Sequence, residues 1–124
     1  MATGNITKYM SGVDSGWVEL TNPDVFTGAI YYRQIGPIVH VIVYQIKLIE
    51  PFTGTIKTLL PAGSLPKPYK VPTIMGGSND YTRFAMCQIY LNGGLAFFRY
   101  SSIPGVTEYP ANANIFFSAT YLTE

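Results

Sequence analysis

Charge is scarce in this 124-residue chain. Asp, Glu, Lys and Arg make up 12% of it, about half the usual share. Eight basic and seven acidic residues leave a net charge of +1, which gives no electrostatic footprint for nucleic acid or an anionic membrane. Cysteine is limited to Cys87 and histidine to His40. An internal disulfide is therefore impossible, and a zinc site has too few ligands, so no metal and no cofactor are expected. The lack of disulfides suits folding in a reducing cytosol. Long apolar runs are also missing. The longest, residues 38–49, is interrupted by His40, Gln45 and Lys47 and is too short to span a bilayer. Residues 1–11 have no apolar signal-peptide core. The chain reads as soluble, without membrane insertion and outside the usual secretory route. No window of eleven residues carries a capped helical period, which excludes helix-based folds.

What remains is a period of two. Residues 29–35 read as a strand ended by Gly36-Pro37. Residues 38–49 are rich in β-branched side chains, with Ile42, Tyr44, Ile46 and Leu48 assigned to one face and Gln45 and Lys47 to the other. The first half of that run is apolar on both faces and calls for cover on both sides. Further strands are predicted at 55–60, from 73 to 75, at 81–91, 95–100 and 115–122. Asn92-Gly93-Gly94 is a hairpin signal, since Asn and Gly accept positive φ. Between residues 60 and 72 four prolines exclude helix and interior strand. This stretch is expected to be an ordered crossing loop anchored by Leu65 and Tyr69. Strands at this spacing, with Gly and Pro turns between them, indicate one all-β domain, an antiparallel β-sandwich or jelly roll. Residues 1–14 read as a lead-in segment and 15–124 as the domain.

Catalytic equipment is not apparent, and the chain is read as a non-enzyme. The seven acids lie mostly in loops beside turn formers, where carboxylates commonly cap the backbone. His40 is the one candidate neutral-pH base. It sits among Val and Ile with no nucleophile elbow beside it, so it reads as a satisfied strand histidine or one at a subunit contact. Cys87 reads as a small core residue. The Gly76-Gly77 and Gly93-Gly94 pairs open no helix and read as turns, not phosphate cradles. Aromatics, by contrast, make up 15% of the chain. Trp17, Tyr81 and Tyr109 lie in or beside turns, with Asn79, Asp80, Glu108 and Asn112 near them. Flat rings beside amides and carboxylates complement the apolar faces and hydroxyls of sugars. Trp17, Asn79, Asp80, Tyr81 and Tyr109 are therefore the candidate ligand-binding residues, on loops that would converge at one end of the sandwich. For each ring taken alone, the plainer alternative is a cap on the end of the core.

Several segments follow one another in a familiar order. Gly16-Trp17 is followed by Tyr32-Arg33-Gln34-Ile35-Gly36-Pro37-Ile38-Val39-His40-Val41, then by Leu60-Pro61-Ala62-Gly63-Ser64-Leu65-Pro66. The hairpin through Asn92-Gly93-Gly94 comes next, and Phe117-Ser118-Ala119-Thr120-Tyr121 closes the series. This order resembles the C-terminal receptor-binding head domain of bacteriophage tail-fibre and baseplate proteins, over residues 16–121. The resemblance implies a homotrimer on the virion tail that binds a host cell-surface saccharide. The alternatives are a structural trimeric fibre tip without receptor binding and a monomeric carbohydrate-binding module. The N-terminal shaft of such a fibre has no counterpart in this sequence, so an excised head or a short standalone subunit is expected.

Overall fold

The computed structural model describes residues 14–51, 56–70, 73–77, 83–101 and 114–123, and for 73–77, 83–86 and 98–101 the backbone alone. The fold is all-β, one domain of antiparallel strands curled into a half-barrel, with no helix among the described residues. The strands are β1 (Val18–Leu20), β2 (Phe26–Thr27), β3 (Ile30–Ile35), β4 (Ile38–Leu48), β5 (Ile56–Leu60), β6 (Thr73–Gly77), β7 (Arg83–Ile89), β8 (Leu95–Ser101) and β9 (Asn114–Leu122). Their order is β1-β3-β4-β9-β6-β7-β8-β5, with β2 pairing β4 off this path. One arm is β1, β3, β4 and β9; the other is β6, β7, β8 and β5. Among the described residues the arms join at a single register pair, Gly77 opposite Phe116. Both contribute to one core. Val39, Val41, Val43, Ile46, Ile115 and Phe117 come from the first arm, and Leu59, Leu60, Cys87, Ile89, Leu95 and Phe97 from the second.

β3 and β4 form a hairpin because Gly36-Pro37 is a two-residue turn between the paired Ile35 and Ile38. Gly36 takes a φ of 58°, as the first position of a type II′ turn requires, and the proline follows it. β4 then pairs with β9 along its other edge. Burial alternates through Val39, Val41 and Val43, then changes phase to Ile46 and Leu48. This corrects the face assignment made from the sequence: Ile46 and Leu48 are buried, but Ile42 is only half-buried and Tyr44 is exposed. The cause is a bulge. The β4–β9 register shifts between Val43 and Ile46, and Gln45 adopts a φ of 58°. One extra residue in a strand reverses the faces beyond it. β2 continues the β3 edge past the bulge, after a break at Gly28, whose φ is 94°.

The proline-rich stretch is an ordered loop, pinned at several points. Gly63 N–H donates to the Asn92 carbonyl at 2.8 Å, and Leu65 N–H donates to the Gly93 carbonyl at 2.9 Å. The Tyr121 hydroxyl donates to the Pro66 carbonyl at 2.7 Å. Burial, with Tyr32 nearby, pushes that phenol's ionisation above the usual tyrosine range, so it remains a donor. Leu65 is buried as expected, whereas the Tyr69 ring is 58% exposed. Tyr69 anchors through its backbone instead, its N–H donating to the Leu122 carbonyl at 2.8 Å. At the β7–β8 hairpin, Gly93 carries the positive φ, 84°, and Asn92 accepts the Gly94 N–H through its side chain at 2.9 Å. Cys87 is fully buried, and burial pushes its thiol well above the ordinary range, which makes it inert.

A Cβ on Gly93 would lie 2.3 Å from the Leu65 carbonyl oxygen, so the loop and the hairpin cannot both keep their positions in Gly93→Ala. The variant should lose roughly 2–4 kcal/mol, from backbone strain and broken loop hydrogen bonds. Gly63→Ala is the comparison: its φ is also 84°, but nothing lies within 4 Å of the added atom, and the cost should be roughly 1–2 kcal/mol. Urea unfolding midpoints measure both. Equal losses would show that close approach at Gly93 is not what ties the loop down.

Candidate functional site

The segment that enters β1 crosses the end of β3. Asp14 bridges to Ile35. Ser15 N–H donates to the Gln34 carbonyl at 2.9 Å, and Gln34 N–H donates back to the Ser15 hydroxyl at 2.8 Å. Gly16 turns the chain with a φ of 62°, and its N–H donates to the Asp14 carboxylate at 2.9 Å. That carboxylate also accepts two hydrogen bonds from Arg33, from Nε at 3.1 Å and from Nη2 at 2.8 Å. Such a fork-to-fork pair fixes the guanidinium plane. The Arg33 bonds, with the Gly16 N–H second, hold the Asp14 carboxyl down at about 2. The pairing in turn raises Arg33 further above its ordinary value.

These contacts place the Trp17 indole on the outer surface of the first arm, 52% exposed. Its neighbour is His40, with ring centroids 6.1 Å apart and planes at 69°, an edge-to-face arrangement. The His40 imidazole is hydrogen bonded through Nδ1 to the Thr120 hydroxyl at 2.8 Å, so the ring is held from β9 while it supports the indole. Trp17, Arg33, Ile35, Ile38 and His40 line a shallow groove of about 230 Å³. Its floor is apolar, and one end carries the Asp14–Arg33 pair. The groove has what a small ligand with an apolar face and polar edges needs: a half-free ring, hydrophobic walls and a fixed charged rim. Among the described residues no three of His, Cys, Asp and Glu lie together.

Of the residues singled out from the sequence, Trp17 is in this groove. Asn79, Asp80, Tyr81 and Tyr109 lie outside the described residues, as do Glu108 and Asn112. Sequence reasoning missed the partners of Trp17, and the signal for two of them was present. Arg33 and His40 stand at equal distances on either side of the Gly36-Pro37 turn, and a two-residue hairpin places them opposite each other, as the β3–β4 register does. Asp14 carries no comparable mark, because its link to Arg33 depends on an isolated bridge. Comparison with protein-family models, curated proteins and solved structures found no match to the chain.

The Asp14–Arg33 pair leads to a pH dependence. The carboxyl's pKa is lowered on folding from 3.8 to about 2. Its contribution to stability is therefore complete above 3.8, declines as pH falls through that window, and is gone below about 2. Asp14→Asn should melt slightly below the parent at neutral pH, the effect being small because both side chains are exposed. The two melting temperatures should converge as pH drops to about 2. A gap that persists unchanged there would show that the carboxylate charge is not its source.

Proposed function

We propose that the chain is a receptor-binding head domain of a bacteriophage tail-fibre or baseplate protein, a jelly-roll head that works as a homotrimer on the virion tail and binds a host cell-surface saccharide through the groove at Trp17. The observation that carries this reading is the half-exposed indole braced by His40 beside the paired Asp14 and Arg33. A pyranose presents an apolar C–H face that stacks on an indole, ringed by hydroxyls that need donors and acceptors. Asp14 supplies acceptor oxygens and Arg33 supplies N–H donors. Both are already oriented, so little side-chain freedom is lost when a sugar docks. The order of sequence motifs supports the same reading over residues 16–121. In this reading the domain works by binding, with the polar groups of the groove as a fixed rim.

A groove of this size covers about one sugar ring, so each site should be weak, roughly millimolar to high micromolar. A trimer offsets this, because linked sites raise the effective concentration at a glycan-covered surface. In an array of bacterial surface glycans or a host-cell adsorption assay, Trp17→Ala should lose at least tenfold in binding and keep a parental circular dichroism spectrum. Trp17→Phe, which keeps a ring, should retain most of it. Alanine variants of Asn79, Asp80, Tyr81 and Tyr109 form the second arm. If only those lose binding, the saccharide site lies there and not at Trp17. If the folded parent binds no glycan and no cell, the structural trimeric tip becomes the better reading.

A further inference from the structure

We infer that the outer face of the β1-β3-β4-β9 arm is the surface on which copies of this chain pack against one another, so that the Trp17 groove, which shares Ile35 and Ile38 with that face, lies at the seam between copies. The inference rests on the homotrimer reading and adds the surface to it. Alternation and register settle which residues share this face. Tyr31 and Ile35 on β3, Ile38 and Tyr44 on β4, and Phe116 and Leu122 on β9 all point away from the core and are exposed. Half-buried Ile42 lies between them, opposite Tyr31 on one side and Ser118 on the other. Ile35, Ile38 and Leu122 form one row across three strands. Tyr44 and Phe116 lie across from each other at the bulge, bracketed by the pairs Val43–Phe117 and Ile46–Ile115.

The area points to a macromolecular partner. From side-chain sizes, the exposed parts of these six residues come to on the order of 600 Å². That equals the upper end of the largest apolar patch on an ordinary monomer, roughly 300–600 Å². It is also most of the ~800 Å² that each partner contributes to a stable interface. The charge pattern points to a second copy. Arg33 is neutralised within the chain by Asp14. The other charges on this face, Glu19 on the edge strand and Lys47 past the bulge, sit at opposite margins and have opposite signs. A lipid surface or a nucleic acid would require a cationic face. With margins of opposite sign, one margin of a copy can meet the opposite margin of the next, as a closed ring requires. The buried core of a subunit interface has the same composition, apolar and aromatic with charges excluded to the rim.

The test uses the full chain at micromolar concentration, with mass measured by light scattering and folding by circular dichroism. Tyr44→Asp and Leu122→Lys place charges at side chains that are 69% and 57% exposed in one subunit, so the fold should tolerate them. Leu91→Lys, at the β7–β8 hairpin tip of the other arm, is the control. The parent and Leu91→Lys should be trimers, and the two face variants monomers. Ser118→Cys reads the same face without a charge. The introduced thiol should label at least tenfold more slowly in the assembled protein than after dilution to monomers, with buried Cys87 silent. If the parent is a trimer, both face variants remain trimers and the Ser118→Cys variant labels at the rate of a free thiol, the face inference fails and the trimer reading stands. A dimer dispersed by the face substitutions supports the face and overturns the trimer. A monomeric parent, with rapid labelling of the Ser118→Cys variant, overturns both and leaves the patch to a different protein.

Discussion

Strand β4 has to do two incompatible things in eleven residues, and the rest of the domain depends on how it reconciles them. It pairs along both edges, with β3 and β9, and it supplies five buried side chains to the core. A regular strand that buries Val39, Val41 and Val43 would also bury Gln45 and Lys47 and would leave Ile46 and Leu48 in water. The bulge at Tyr44-Gln45 removes that conflict. A non-glycine residue at a φ of 58° costs roughly 1–2 kcal/mol. Burying Ile46 and Leu48 returns roughly 1.5–3 kcal/mol each, and Gln45 and Lys47 avoid the larger penalty of an unpaired polar group in the core. The bulge wins on magnitude. Opposite it the β3 edge must also break, and it does so at Gly28, the residue best able to hold a φ of 94°.

The second constraint is closure. Among the described residues the two arms share a single register pair, so the sheet ladder alone does not hold them together. The proline-rich loop supplies a further tie. It accepts the Tyr121 hydroxyl from one arm, donates backbone hydrogen bonds to the β7–β8 hairpin of the other, and inserts Leu65 into the shared core. Proline is well suited here, because the fixed φ angles of Pro61, Pro66 and Pro68 lower the entropy lost when the crossing is ordered. The Gly36-Pro37 tip is tied as well: its carbonyl at Pro37 accepts the Thr123 N–H at 2.8 Å. The end of β9 thus holds both the loop and the turn that lies next to the Trp17 groove.

Much of this was legible in the sequence, and where it was not the reason is physical. β3, β4, β5, β8 and β9 fall within a residue or two of where alternation and turn residues put them. β1 and β2 did not, because three- and two-residue strands are too short to display a period and exist through pairing with β3 and β4. The faces of β4 were misread from Ile42, Tyr44, Ile46 and Leu48, which are evenly spaced. The parity change was nevertheless written in the order Val39, Val41, Val43, then Gln45 and Lys47 where apolar residues would have continued. At the candidate site the exposed ring was identified from composition and context. Its companions were not, because they are brought to Trp17 by strand register and by one ion pair, and register between distant segments leaves no local pattern.

The poverty of charge and the bulge belong to one argument. In a soluble monomer a sheet face exposed to water normally alternates with polar residues. Here the outward positions of β3, β4 and β9 are occupied by Tyr31, Ile35, Ile38, Ile42, Tyr44, Phe116 and Leu122, relieved chiefly by His40, Ser118 and Thr120. Tyr44 points outward beside Phe116 by regular alternation, and the bulge that follows keeps the apolar stretch from running on through Ile46 and Leu48, which it turns into the core. Four of the polar side chains at this face are already paired within the chain: His40 with Thr120, and Arg33 with Asp14. Covering it leaves few hydrogen-bonding groups unpaired, and uncompensated polar burial is the main cost of covering any surface. The pairing that orients the rim of the Trp17 groove is thus also what makes the sheet beside it cheap to desolvate.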